Sequence, residues 1–103
     1  MTTETIEEIK LDEKIKKDLE EPGKWNVIFL NDDTTPMEFV TELLIIIFKH
    51  TRDTAEKIMF QVHEKGSAVV GTYMFEIAEQ KTTEATQCAR HQGFPLGIQM
   101  EKQ

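Results

Sequence analysis

Trp25-Asn26-Val27-Ile28-Phe29-Leu30-Asn31-Asp32-Asp33-Thr34-Thr35-Pro36-Met37-Glu38-Phe39-Val40 is the stretch that decides the fold. Its first six residues are aromatic and β-branched and run into a polar Asn-Asp-Asp turn, so they predict a strand. Thr35-Pro36-Met37-Glu38 then predicts a helix start. Thr35 is the expected N-cap, Pro36 takes the first helical position, and Glu38 reaches back as the capping-box partner. That helix is expected to run to about Lys49, with Phe39, Val40, Leu43, Leu44, Ile47 and Phe48 on its apolar faces. So wide a stripe suits a helix packed on more than one side.

Downstream, Asp53-Thr54-Ala55-Glu56 repeats the capping-box pattern, and Gly66 supplies a C-terminal stop. Between them Ala55, Ile58, Met59, Val62 and His63 form one helical stripe. Ser67 to Tyr73 reads as a second strand. A third helix is expected from about Phe75 to His91, with Ile77, Ala78, Ala85, Cys88 and Ala89 on its inner face. Gly93-Phe94-Pro95 breaks it, and Leu96, Ile98 and Met100 alternate with Gly97, Gln99 and Glu101 as a last strand. The order β-α-α-β-α-β gives an α+β fold, a three-stranded antiparallel sheet with three helices on one face.

Upstream the text changes at Pro22-Gly23. Residues 1–23 hold eight acids against four lysines, and their only large apolar residues after Met1 are Ile6, Ile9, Leu11, Ile15 and Leu19. Such a segment buries too little surface to offset its ordering entropy, so a disordered acidic extension is expected before a core domain at 24–103. Leu11, Ile15 and Leu19 leave it a weak helical pattern for folding against a partner. At 103 residues the chain makes one domain. A net charge of −7 argues against a role built on neutralising phosphates. The longest apolar run, Leu43 to Phe48, is six residues, where a membrane span needs roughly twenty. Acids throughout the first twenty residues argue against a secretory signal. Lone Cys88 cannot form an intramolecular disulfide, which fits a reducing compartment. A soluble cytoplasmic protein is expected.

Asn31-Asp32-Asp33 is the densest polar cluster, and by itself it reads as a turn. His63 gives it a second meaning. An imidazole on an apolar stripe, one turn beyond Met59, is either a satisfied core histidine or a member of a pocket that includes the cluster. Metal binding by Asp32, Asp33 and one imidazole is disfavoured by ligand count and by the absence of His-x-x-x-His or Cys-x-x-Cys spacing. Cys88 and His91, three apart, form a Cys–His pair only on paper, because Cys88 is expected to face the core. With no nucleophile elbow, P-loop or Gly-rich dinucleotide motif, no catalytic residue, metal or cofactor is expected.

Asn31-Asp32-Asp33-Thr34-Thr35-Pro36-Met37-Glu38-Phe39-Val40 closely resembles the signature of the ClpS family of adaptor proteins. So do Ile58-Met59-x-x-Val62-His63-x-x-Gly66, Ala78-Glu79-x-Lys81 and Gly93-x-Pro95-Leu96, in order along Lys24 to about Lys102. The resemblance implies a non-enzymatic adaptor that recognises proteins with bulky hydrophobic N-terminal residues (N-degrons) and hands them to the ClpA or ClpC unfoldase of the Clp protease. It also implies a fold similar to the C-terminal domain of the ribosomal stalk protein, acting as a monomer without cofactor. By resemblance, Asn31 and His63 contact the substrate α-amino group, with Asp32 or Asp33 assisting. Met37, Val40, Met59, Val62 and Leu96 match the family's hydrophobic pocket for Leu, Phe, Tyr or Trp, and Glu76 and Lys81 match positions set against the unfoldase's N-terminal domain. Trp25 stands where the family commonly has Tyr, and Met74-Phe75 replaces a small or polar pair. The alternative function is a regulator that binds the unfoldase and redirects it without reading N-termini.

Overall fold

The computed structural model describes residues 23–103. The extension expected at 1–23 therefore lies, apart from Gly23, outside the described residues. The elements follow the order β1 (Lys24–Leu30), α1 (Met37–Ile46), α2 (Arg52–Lys65), β2 (Ser67–Met74), α3 (Phe75–His91) and β3 (Gly97–Lys102). The strands form one antiparallel sheet with β1 in the centre, ordered β2-β1-β3.

Strand alternation sends Val27 and Phe29 of β1 to one face, where both are fully buried. Opposite them lie Met100 and Ile98 of β3. In β2 the register skips Val70 between the Val27 and Ile28 pairings, a bulge that leaves Val70 and Ala68 both buried. Leu43, Leu44, Ile47 and Phe48 of the α1 region, Ala55, Met59 and Val62 of α2, and Ala78, Ala85 and Ala89 of α3 complete one core. Phe29 and Phe48 meet edge to face, 5.4 Å between centroids, joining the sheet to the turn that follows α1.

Local details correct several expectations. Thr35 is not the cap of α1. Its hydroxyl donates to Asp32 Oδ2 at 2.7 Å, its amide donates to Asp32 Oδ1 at 2.7 Å, and the amide of Thr34 donates to the same oxygen at 2.8 Å. Asp32 thus folds the turn, and the helix begins one residue late, at Met37, after an extended Pro36 that makes no side-chain cap bond. For α2 the cap is Thr51, whose hydroxyl accepts from the Thr54 amide at 3.2 Å; Asp53 lies inside the first turn, beside the positive helix end. The third correction is Cys88, which is exposed, as is Ile77.

The end of α1 also comes earlier than the apolar run suggests. After Ile46 the chain turns through Lys49 in the left-handed region (φ 62°), while Ile47 and Phe48 stay buried. The Nε2–H of His50 donates to the Val70 carbonyl, pinning this loop to β2. The last helix ends as its glycine predicts. Gly93 takes φ 79°, and the amides of Phe94 and Gly93 return to the carbonyls of Ala89 (2.9 Å) and Arg90 (3.0 Å), a Schellman closure.

Candidate functional site

Four element ends meet beside the polar cluster: the end of β1, the start of α1, the end of α2 and the start of β3. One backbone bond does much of the joining. The amide of Asn31, just past β1, donates to the carbonyl of Gly66 at 2.8 Å. Gly66 closes α2 at φ 89° and donates its own amide to Val62. Only a residue tolerant of the left-handed region closes the helix this tightly. The loop from β1 is thereby held against the helix turn that carries Val62 and His63.

A cavity opens there. It is lined by Leu30, Asn31, Asp32, Thr35, Met37, Val40, Met59, Val62, His63 and Leu96. Val40, Met59, Val62 and Leu96 are all buried and make an apolar floor. Met37, 39% exposed, overhangs it as the first residue of α1. Asn31 and His63 are exposed and Asp32 is half-buried, so the polar groups form a rim. The cavity volume is about 20 Å³, room for about one water.

The fold therefore brings together Asn31, Asp32, Met37, Val40, Met59, Val62, His63 and Leu96 from the sequence reading. Asp33 is exposed and does not line the cavity. Leu30 and Thr35 line it without having been anticipated. Leu30 alternates to the sheet face opposite Phe29 and so reads as outward; Thr35 reads only as a cap. His63 is not a core histidine, since its side of the stripe reaches solvent at the cavity rim.

Asp32 carries the site's resolved electrostatics. Partial burial works to raise its pKa, but the Thr35 hydroxyl, the Thr35 and Thr34 amides and the Arg90 guanidinium together outweigh it. The carboxyl titrates below its ordinary value and is ionised at neutral pH. Its two oxygens offer about four acceptor positions, and three are taken by the turn.

Glu76 and Lys81 lie elsewhere, on the first two turns of α3. Glu76 is exposed, whereas the Lys81 ammonium donates to the Ile47 carbonyl at 2.7 Å and stands over the rings of Tyr73 and Phe48. Burial pushes the Tyr73 hydroxyl up from its ordinary pKa. Trp25 and the Phe75 of the altered pair meet edge to face at 5.2 Å. Among the described residues no three His, Cys, Asp or Glu side chains converge as a metal site, and no helix is long and apolar enough to cross a membrane.

Known proteins share this sequence and shape. A family model described as ATP-dependent Clp protease adaptor protein ClpS matches residues 20–99. The ATP-dependent Clp protease adapter protein ClpS of Leptospira biflexa is 42% identical over 91 residues, which cover 88% of this chain and 80% of that one. Its counterpart in Shewanella pealeana is 40% identical over 100 residues, covering 97% and 96%. The solved structure of Agrobacterium tumefaciens ClpS2 bound to L-phenylalaninamide is similar with a TM-score of 0.77 and 43% identity, covering 80% of this chain and 99% of that one.

Proposed function

The chain belongs to the ClpS family of ATP-dependent Clp protease adaptor proteins, adaptors and not enzymes, and from that premise we propose that its cavity reads the N-terminal residue of protein substrates. The observation that carries this reading is a rim of acceptors over an apolar floor. A free α-amino group, with pKa about 7.7–8.0, is largely an ammonium at neutral pH and has donors only. Asn31 offers it an amide oxygen and His63 a ring nitrogen. Asp32, with three acceptor positions committed to its turn, has about one left and acts mainly through its charge. Asp33 stands outside the cavity and has the smaller part. L-Phenylalaninamide, the ligand of the Agrobacterium relative, has the same chemistry: a free α-amine, a benzyl side chain and an amide where a chain would continue.

The floor then receives the first side chain. Burying a Leu or Phe contributes roughly 1.5–3 kcal/mol, enough to favour bulky N-termini over alanine by tens-fold. A cavity with room for one water must open to take such a side chain. Met37 and Met59 are the adaptable members, unbranched and pliable enough to swing aside for Leu, Phe, Tyr or Trp. The bound substrate is handed to a ClpA- or ClpC-type unfoldase, with Glu76 and the α3 start facing its N-terminal domain. Calorimetric titration with a short Leu-initiated peptide tests the reading, against the same peptide acetylated. Saturable binding of the free amine alone is expected; equal binding of both forms, or of neither, refutes it.

A further inference from the structure

Arg90 sits in the last turn of α3, outside the cavity, yet its contacts lead there. Its Nη1 donates to the carbonyls of Phe94 (2.8 Å) and Leu96 (2.9 Å). Those carbonyls flank Pro95, which has no amide with which to brace the turn. One guanidinium nitrogen thus ties down both sides of the segment linking α3 to β3. Leu96, the residue at its end, is 1% exposed and forms one wall of the cavity.

The other side of the segment is fixed as well. The Phe94 ring meets Phe39 of α1 edge to face, 4.8 Å between centroids, next to the floor residue Val40. Leu96 is therefore suspended between an aromatic contact to α1 and a charge-assisted clamp to α3. The positive charge of the same guanidinium is also one of the influences that together outweigh partial burial and keep the Asp32 carboxyl ionised.

We infer that Arg90 is a positioning residue for side-chain selection: it holds Leu96 at the height that shapes the apolar pocket, without touching the substrate. The inference rests on the pocket reading above. Its force comes from the cavity's size. Where the cavity is about 20 Å³, a small outward drift of one wall changes which side chains fit.

The test uses the full chain and two variants. Arg90→Met keeps the aliphatic stem and removes the clamp; Arg90→Lys keeps the charge towards Asp32 and a point-charge donor, but not the planar fork. Affinities for Leu- and Ala-initiated peptides are measured by calorimetry, the Leu96 methyl resonances by NMR, and the melting temperature by circular dichroism. For Arg90→Met the Leu-to-Ala affinity ratio is expected to fall about tenfold, the lower end for hydrogen bonds to a charged group. The Leu96 methyls should shift while those of Val27 and Val70 stay put. Arg90→Lys should recover part of the ratio. A residue that merely caps α3 would lower the melting temperature and weaken both peptides alike, so a wild-type ratio in Arg90→Met overturns the inference. A wild-type chain that binds neither peptide overturns the pocket reading and this inference with it, and that failure is read from a different sample.

Discussion

Trimming Met37 to alanine is the sharpest perturbation of the proposed pocket. Met37 opens α1, is 39% exposed and overhangs a cavity with room for about one water. The substitution removes three heavy atoms, each roughly water-sized, and so vacates on the order of 90 Å³. Counted in waters at about 30 Å³ each, that adds room for about three where the cavity now holds about one. A β-branched first residue, whose branch sits next to its backbone, gains the most from a wider mouth. Ile- and Val-initiated peptides should therefore bind more tightly relative to Leu than they do in the wild type.

Shape discrimination by one methylene is worth about 1–3 kcal/mol, or roughly 10–200-fold. The Leu-to-Ile affinity ratio should accordingly fall by at least about tenfold in Met37→Ala. Leu itself should bind more weakly by about 1 kcal/mol, because part of its burial came from the methionine. Stability should change by no more than about 0.5 kcal/mol, as at other surface positions. Calorimetry with matched Leu, Ile and Val peptides reads the ratio, and a thermal melt checks the fold. A Met37→Ala chain with the wild-type Leu-to-Ile ratio refutes the gate.

Further outcomes follow from the rim and the tail. Asn31→Ala and His63→Ala should each weaken a Leu-initiated peptide by about 1.5–3 kcal/mol, the scale for hydrogen bonds to a charged group; wild-type affinity in both by calorimetry would place the ammonium elsewhere. Asp32→Asn should keep an acceptor for the Thr34 and Thr35 amides and hence the fold, yet bind the ammonium less well, whereas Asp32→Ala should lose turn and charge together. Because the folded-state pKa of Asp32 is lowered, its stabilising contribution is complete above about pH 4 and is lost as pH falls through the folded value. Wild-type melts from pH 7 to 3 should therefore show an acid decline that Asp32→Asn blunts. Deleting Met1 to Leu19 should leave peptide affinity within about 0.5 kcal/mol but slow degradation of an N-degron reporter by reconstituted protease; undiminished delivery would make the tail a passive leader.

Much of the architecture was legible because its signals do not compete. The run Trp25 to Leu30 sits between turn residues and became β1, and Gly93 and Pro95 left α3 little choice but to end after His91. The helix starts were misread where two good acceptors stood close together. Asp32 precedes Thr35 by three residues, and a carboxylate out-competes a hydroxyl as acceptor, so Thr35 became a donor in a turn made by Asp32. Pro36 adds to this by disfavouring the helical region for the residue before it. Phase decided the inner face of α3. At about 100° per residue, Ala78, Ala85 and Ala89 share an arc of about 40°, and three small side chains let the helix sit close to the sheet. Ile77 and Cys88 fall about 60–80° to one side of Ala85, on the exposed shoulder of the stripe. The bulge at Val70 had no sequence signal, since a valine fits either register.

The cavity residues were legible as types but not as a place. Nothing in the order of the chain says that Asn31 meets the end of α2; that is the work of one backbone bond to Gly66 and of the left-handed turn that presents its carbonyl. The consequence is a division of labour within three adjacent residues. Asn31 spends its backbone on the fold and keeps its side chain exposed at the rim. Asp32 spends most of its side chain on the fold and leaves its charge. Asp33, exposed and away from the cavity, does neither. A free carboxylate aimed at the ligand would bind any cation, lysine side chains included. A carboxylate held back by its turn, behind the acceptors of Asn31 and His63 at the rim, favours an ammonium that also brings a side chain for the floor. Selectivity for a chain terminus, on this reading, comes from how little of Asp32 is left over.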